Sequence, residues 1–492
     1  MRKKLIILFL LIGLFIGTNT SATAMVDEQA NAIQSFIDEA RRISRAPGIS
    51  VAIQVDGESH FFSSGLANRE MGMSATEETL WELASVSKAF TALGLLYLEE
   101  QGLLSLTDSI ADHLPWLTFR YRGQPVDMQD VRLYNFLYHT VGITNMQHPN
   151  LVLDRPGPDT LQNTVEALID AELVFFPGER MEYGTKNYNV LGLVIESVSE
   201  QSYESFMEEQ IFQPLGLTQT FANRDHAIAT NRLAQGYFTT FIFATRQRDS
   251  AEARGSVPTG YIITSAQDMA RWMGIQLGLI EDIPAVFKEI IPRSHIGDQS
   301  VEPENLMGWY TYYAAGWIVS VDGERVEHEG GNPSFATYIL LLPEEQIGVA
   351  VLSNSRTTNT MPIANHVVDI LGGNLGARYP TGIIQMLDMV LTIATVFGSI
   401  IAIYFFLLGL HRKQQDNKLS ISGKRGILIA LWSVITLMIC VLPYAILRVA
   451  TGVNLRDLLH MLMPYSLLTG FIALVLLSAS ITWFVAFPRR TK

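Results

Sequence analysis

Three long apolar runs near the C-terminus constrain this chain more than any other feature. They occupy residues 389–410, 427–447 and 465–487, and each contains 21 to 23 residues. At about 1.5 Å per residue, a helix of that length crosses a bilayer core of about 30 Å. The mean hydropathy of the 492-residue chain is +0.21, which is high for a wholly soluble protein. The sequence therefore predicts three transmembrane helices after a globular part, joined to it by a linker over residues 377–388.

Basic residues beside the apolar runs predict their orientation. The connection 411–426 contains five Lys and Arg residues, and the tail 488–492 contains three. Cytoplasmic segments are enriched in these residues, so both are predicted to be cytoplasmic and the connection 448–464 extracytoplasmic. Intramembrane polar residues are few, so we interpret the spans as an anchor whose partner is the lipid bilayer, with no ion pathway.

The N-terminus resembles a secretory signal. Arg2, Lys3 and Lys4 precede the apolar segment 5–16, and residues 22–24 read Ala-Thr-Ala. This is the order of a signal peptide, here predicted over residues 1–24, with an uncleaved anchor as the alternative. Both interpretations place the globular part outside the cytoplasm and make the protein a multi-pass protein of the cell membrane.

The charge and the single cysteine exclude several classes of function. Because residues 1–24 carry +3 and residues 376–492 carry +8, the net charge of −13 leaves −24 on residues 25–375. An acidic domain argues against nucleic acid as its ligand. Cys440 is the only cysteine, so no intrachain disulfide and no cysteine metal cluster is possible. The histidines show no spacing typical of metal ligands, so neither metal nor cofactor is expected.

Residues 25–376 have the pattern of one α/β (α+β) domain. Helical periodicity over 26–45 is followed by a β-hairpin and a helix, and residues 106–254 resemble an inserted, mostly α subdomain. A period of two then predicts four antiparallel strands over 312–321, 324–329, 335–342 and 347–353, before a final helix over 360–371. The predicted fold is an antiparallel sheet with strands from both ends of the domain, flanked by helices.

One stretch of this domain suggests chemistry. Ser85 and Lys88 are three residues apart at the start of a predicted helix over 89–101, which places both side chains on one face. A serine hydroxyl becomes a good nucleophile when a neighbouring base takes its proton, and a lysine with a lowered pKa can be that base. Residues 25–375 contain only three lysines, so a chance match is less frequent than in an average chain. The pattern alone still needs partners.

Two further segments supply candidate partners. Tyr183 follows the loop Pro177-Gly178 and precedes a helical run, and it offers a hydroxyl that can pass a proton to a leaving group. His328 stands before Gly330 and Gly331 at the end of a predicted strand, where small residues let a substrate backbone lie close. Taken singly, Tyr183 is better explained as a buried aromatic residue at a helix start, and His328 as a buried strand residue.

These segments, in this order, resemble the serine β-lactamase and penicillin-binding protein superfamily, and in particular its class C β-lactamase, D-aminopeptidase and esterase branch. The resemblance covers about residues 27–370. It includes the following additional segments: 137–143, 177–179, 211–217 and Gly316-Trp317. The Ser-x-x-Lys box is itself a signature of these enzymes.

The resemblance implies a role for each residue. Ser85 would be the acylated nucleophile and Lys88 its proton partner, while Tyr183 would share the base function and protonate the leaving group. His328 and Gly330 match the third box of the family, and the backbone N–H groups of Ser85 and Gly331 would form the oxyanion hole. His139 and Thr140 are interpreted as structural residues near the site.

Two departures from the family pattern bear on the substrate. The second box, usually Tyr-x-Asn, ends in Thr185, which lacks the amide that grips an acylamide side chain. His328 replaces a lysine and so removes a fixed positive charge. Both changes favour esters, or small amides without a terminal carboxylate, over peptide substrates derived from the cell wall.

The predicted function is a membrane-anchored extracytoplasmic serine hydrolase acting on a small-molecule, ester or peptide substrate. The alternative is a catalytically weak or inactive relative that senses or binds cell-wall fragments. A transporter with an accessory domain is disfavoured by the few polar residues in the spans. Carboxypeptidase, esterase and β-lactamase activity stay open, as does the oligomeric state.

Overall fold

The computed structural model describes residues 25–144, 160–240, 244–247, 254–356, 358–376, 378–380 and 383–415, and the single positions 477, 479 and 481. The predicted signal peptide, 1–24, and the predicted second span, 427–447, lie outside the described residues. The predicted third span, 465–487, also lies outside them except for those three positions.

Sixteen strands occur in the described residues, and nine of them form one antiparallel sheet. The order across this sheet is β11-β12-β13-β14-β15-β16-β1-β2-β3, so strands from the two ends of the domain meet where β1 pairs with β16. The strands are β1 Gly48–Val55, β2 Glu58–Asn68, β3 Met73–Ser74, β4 Leu80–Glu82, β5 Phe119–Tyr121, β6 Gln124–Pro125, β7 Ala171–Leu173, β8 Tyr237–Thr240, β9 Ala244–Gln247, β10 Ile263–Ser265, β11 Glu304–Asn305, β12 Tyr310–Tyr313, β13 Ile318–Ser320, β14 Val326–Gly331, β15 Ala336–Leu342 and β16 Ile347–Ser353.

Helices cover both faces of the large sheet. They are α1 Asp27–Ser44, α2 Ser87–Glu100, α3 Ile110–His113, α4 Leu133–Leu137, α5 Thr160–Glu166, α6 Asn187–Ser199, α7 Tyr203–Phe206, α8 Arg224–Ala229, α9 Val257–Gly260, α10 Ala266–Gln276, α11 Ala285–Ser294, α12 Thr360–Leu371 and α13 Ile383–Gln415. Four short segments are 3₁₀ or π helix: Ala84–Val86, Met128–Asp130, Met207–Phe212 and Arg254–Ser256.

Alternation along the strands decides which face each residue covers. In β1, Val51 and Ile53 pack with α1 and α12 in one core, whereas Ala52 belongs to a larger core on the other face. This larger core joins α2, α6 and α10 to the sheet and includes the inserted helical segments. The predicted antiparallel sheet flanked by helices is therefore confirmed, and so is the final helix, which spans Thr360–Leu371.

The predicted strand over 312–321 is wrong, because the chain reverses within it. Tyr313 ends β12 and Ile318 begins β13, and the two strands pair with each other. Gly316, at the reversal, has φ 79°, a left-handed conformation that glycine adopts readily. A Cβ on Gly316 would lie 2.5 Å from the backbone of Ala89. The turn therefore lies directly against the start of α2, a contact that local periodicity does not reveal.

The predicted first span, 389–410, falls within α13, which has 33 residues. Over the part of the chain that the structure describes, no helix is both long enough and apolar enough to cross a membrane.

Candidate active site

Ser85 lies at the entry to α2, where the chain passes from β4 through a 3₁₀ turn into the helix. Ala84, just before it, has φ 48°, a strained conformation for a residue with a Cβ. Ser85 is partly exposed, whereas its neighbours on both sides are buried. The tight turn thus leaves the hydroxyl of Ser85 accessible in an otherwise buried segment.

Lys88, one helical turn later, meets Ser85 as the sequence predicts. The distance between Lys88 Nζ and Ser85 Oγ is 3.0 Å, and Nζ also donates a hydrogen bond of 2.7 Å to the backbone carbonyl of Thr259. Lys88 is 0% exposed. Burial lowers the pKa of Lys88 well below its ordinary value of 10.5, because a charged amine is costly away from water. A buried amine with a lowered pKa beside Ser85 is a suitable proton acceptor.

Tyr183 completes this group from the second box. Its hydroxyl forms side-chain hydrogen bonds with Ser85 and Thr185, which lower the pKa of Tyr183. Burial has the larger effect and raises this pKa above the ordinary value. The Nζ atom of Lys88 lies 5.2 Å from the centre of the Tyr183 ring. Tyr183 therefore keeps its proton at neutral pH and can donate it, while Thr185 orients the hydroxyl.

His139 supports the backbone next to Tyr183. Its Nδ1 accepts hydrogen bonds from the side-chain amide of Asn187, at 2.9 Å, and from the backbone N–H of Gly184, at 3.4 Å. Its ring lies 4.4 Å from that of Tyr183, centre to centre. Burial lowers the pKa of His139 well below its usual value, so the ring is neutral. These contacts fit the structural role expected of His139.

His328 lies behind Tyr183, with 6.2 Å between the ring centres. Nδ1 donates to the carbonyl of Glu329 at 2.7 Å, and Nε2 lies 3.1 Å from the hydroxyl of Tyr313. Burial and then the charge of Lys88 lower the pKa of His328 to about 3. His328 is therefore neutral, and both of its nitrogens have partners within the protein. The structure brings together Ser85, Lys88 and Tyr183, with His328 as a neighbour of Tyr183.

The glycines of the third box allow two close approaches. A Cβ on Gly330 would lie 2.4 Å from the carbonyl oxygen of Leu83, and one on Gly331 would lie 1.8 Å from the guanidinium of Arg356. β13 pairs with β14 only at Val326 and Glu327. The end of β14 thus lies against the segment before Ser85. Because β13 does not pair with this end, a substrate backbone can lie along it.

Several site residues were missed by sequence reasoning. Arg356, after β16, brings a guanidinium to Gly331, so a positive charge is present at the third box although His328 is neutral. Glu82 and Asn332 form a buried hydrogen bond beside the nucleophile and the third box. None of these residues belongs to a recognisable motif, although Glu82 stands three residues before Ser85 and Asn332 directly follows Gly331.

Comparisons with known proteins agree with this fold. A family model described as Beta-lactamase matches residues 33–372. Protein flp of Staphylococcus aureus (strain N315) is 27% identical over 444 residues, which cover 86% of this chain and 84% of that protein. A Beta-lactamase of Yersinia enterocolitica is 26% identical over 350 residues, covering 64% of this chain and 84% of its own. The structure of the octameric penicillin-binding protein homologue from Pyrococcus abyssi has a TM-score of 0.61 and 27% identity, and covers 74% of this chain and 81% of that one.

Fold and site together define a class, the β-lactamase and penicillin-binding protein superfamily. The chain belongs to the beta-lactamase family, whose model covers most of its length. The expected superfamily is thereby confirmed, and membership of it supports a serine hydrolase.

Proposed function

We propose that this protein hydrolyses an ester or amide through an acyl-enzyme at Ser85. The observation that carries the proposal is the pair of contacts at Ser85: Lys88 Nζ at 3.0 Å on one side and a hydrogen bond with Tyr183 on the other. One partner has a lowered pKa and the other a raised pKa. The site therefore offers a candidate base and a candidate acid on the two sides of one hydroxyl, which acyl transfer requires.

The proposed reaction has two stages. Lys88 accepts the proton of Ser85 as its oxygen bonds to the substrate carbonyl, and the tetrahedral oxyanion forms beside the N–H groups of Ser85 and Gly331. Tyr183 protonates the leaving group as the carbonyl–leaving-group bond breaks, and the proton held by Lys88 replaces the one that Tyr183 gave. Water then attacks the acyl carbon and gives a proton to the same pair. The bond between the acyl carbon and Ser85 Oγ breaks, and the pair returns the proton to Oγ, which releases the acid and restores the Ser85 hydroxyl.

Two features of the site bear on the proposed substrate. Thr185 hydrogen-bonds with Tyr183 and offers no amide for an acylamide side chain, which favours esters and small amides. Arg356, beside Gly331, supplies a charge that a substrate carboxylate can contact. The sequence predicted a preference against substrates with a carboxylate, because the neutral His328 replaces a charged lysine. The charge of Arg356 removes the basis of that prediction.

A labelling experiment tests the proposed acyl-enzyme. We expect a fluorophosphonate to add one covalent group to the wild type, seen by intact mass, and none to Ser85→Ala. Ser87→Ala is the matched control, because the Ser87 hydroxyl accepts a hydrogen bond from the backbone N–H of Ile262 and takes no part in the proposed reaction. A fluorescent penicillin, used in parallel, compares β-lactam with ester reactivity. If neither probe labels the wild type, the alternative of a non-catalytic binder of cell-wall fragments takes its place.

We also propose that the domain acts outside the cytoplasm and is held at the membrane. The support is the signal-like segment 1–24 and the distribution of Lys and Arg around the apolar runs. The test is fractionation of cells that express the full chain, beside a version ending at residue 376. The full chain should sediment with membranes and be cleaved by protease added outside, whereas recovery of the full chain in the soluble cytoplasmic fraction would refute the proposal.

A further inference from the structure

A buried carboxylate lies close to the proposed oxyanion hole and plays no part in the reaction described above. Glu82 ends β4, three residues before Ser85, and is 0% exposed. Its Oε1 accepts a hydrogen bond of 2.5 Å from Arg224, and its Oε2 accepts one of 2.5 Å from the side-chain amide of Asn332. Hydrogen bonds to a charged acceptor are short and strong, so Glu82 holds both partners firmly.

Asn332 in turn organises the turn between β14 and β15. Its Oδ1 accepts the backbone N–H groups of Ser334 and Phe335 at 2.9 and 2.7 Å. Asn332 directly follows Gly331, one of the two expected oxyanion donors. The side chain of Glu82 thus connects the segment that carries Ser85 to the turn that directly follows Gly331.

A second contact runs parallel to this one. The hydroxyl of Thr337 in β15 donates a hydrogen bond of 2.6 Å to the backbone carbonyl of Leu83. The carbonyl oxygen of Leu83 is also the nearest backbone atom to a Cβ placed on Gly330, at 2.4 Å. The side chains of Glu82 and Thr337 therefore fix the distance between the entry to α2 and the end of β14.

We propose that Glu82 is a positioning residue that sets the separation of the two oxyanion donors, Ser85 N–H and Gly331 N–H, through its hydrogen bond with Asn332. The inference rests on the proposed acyl-enzyme mechanism. Glu82 also pairs with Arg224, whose side chain is 28% exposed, and replacing a buried charged pair by apolar residues is often neutral for stability. A displacement of about 1 Å in such a site costs about 100-fold in rate, and loss of one oxyanion donor costs about 100- to 1,000-fold.

The test exchanges donor and acceptor between the two residues. Glu82→Gln places an amide N–H group opposite the amide of Asn332, and Asn332→Asp places two carboxylates opposite each other. The double variant E82Q/N332D restores one donor facing one acceptor and keeps the net charge. In it, the carboxylate introduced at position 332 can still accept the N–H groups of Ser334 and Phe335.

For each single variant we expect kcat on an ester, per fluorophosphonate-titrated site, to fall about 10- to 100-fold, with KM changed less than about threefold. The double variant should recover most of kcat. Glu208→Gln is the control, because Glu208 is a largely buried carboxylate that binds the backbone N–H groups of Ala222 and Asn223. It should leave kcat unchanged.

A purely structural role predicts a different result. Thermal stability of the single variants would fall while kcat per titrated site stayed at the wild-type value, or the double variant would not recover activity; either outcome would overturn the inference. If the wild type itself were not labelled at Ser85, the proposed function would fail and the inference with it. Labelling of wild type and single variants at equal rates would overturn the inference alone.

Discussion

The buried Lys88 lies beside the partly buried Tyr183, with 5.2 Å between the lysine Nζ and the centre of the tyrosine ring. Burial acts on them in opposite directions: it lowers the pKa of the amine and raises the pKa of the phenol. The physical cause is the same, since burial favours the neutral form of each group. Desolvation therefore suits Lys88 to the role of base and Tyr183 to the role of acid in the proposed reaction.

This assignment predicts how activity depends on pH. Because neutral Lys88 is the base, kcat/KM on an uncharged ester should rise with pH through an ionisation well below the ordinary lysine pKa of 10.5. The measurement is a pH–rate profile. Lys88→Arg should abolish the rising limb and lower kcat/KM about 100-fold or more, because a guanidinium keeps its proton. A wild-type profile that is flat, or one centred at 10.5, would contradict the role of Lys88.

The neutral state of His328 predicts how stability depends on acid. Its pKa is about 3 in the folded protein against 6.5 for an unperturbed histidine. The unfolded chain therefore binds more protons than the folded protein between these two pH values. The contribution of His328 to the free energy of unfolding is fully present above about pH 6.5. It declines as pH falls toward 3, by at most about 1.4 kcal/mol per pH unit.

The check is to compare the free energy of unfolding of wild type and His328→Gln across that range. A glutamine can still donate to the carbonyl of Glu329 and accept from Tyr313, but it does not titrate. The variant should lose the histidine part of the decline, whereas His226→Gln, at an exposed position, should keep it. Parallel curves for wild type and His328→Gln would argue against a neutral buried histidine.

The turn at Gly316 predicts a large cost of adding one methyl group. Gly316→Ala would place a Cβ 2.5 Å from the backbone of Ala89 at a φ of 79°. We expect the free energy of unfolding, measured by denaturant titration, to fall by about 3 kcal/mol. Gly323→Ala is the matched control: it has the same φ but no atom within 4 Å of its Cβ, and should cost only about 1 kcal/mol. Equal losses would mean that the contact with α2 is unimportant.

The position of Arg356 predicts a charge-dependent substrate preference. Arg356→Gln should lower kcat/KM for an ester that carries a carboxylate about 10-fold or more, and should leave an otherwise identical neutral ester within about twofold. Steady-state kinetics on the two esters makes the comparison, and the neutral ester serves as the control for folding. If both substrates lost activity equally, Arg356 would be acting on the fold of the third box instead of on the substrate.

Sequence reasoning located the parts of this protein that depend on neighbours along the chain. Ser85 and Lys88 are one helical turn apart, so their contact follows from helix geometry alone. The final helix, Thr360–Leu371, and the strands β15 and β16 follow from side-chain periodicity. The reversal at Gly316 was missed because residues 312–321 were interpreted as one strand, although the backbone N–H of Ala314 closes a turn on the carbonyl of Trp317.

The amino-acid sequence by itself determined the superfamily, the contact between Ser85 and Lys88, and the order of the three boxes, because these depend on short spacings along the chain. Only the tertiary structure decided what surrounds them. Burial among distant elements sets the pKa values of Lys88, Tyr183 and His328. Chain folding brings Arg356 to Gly331 and connects Glu82 to Asn332, 250 residues later in the sequence. Desolvation and long-range hydrogen bonding depend on which residues meet in space, and no local pattern in the sequence records that.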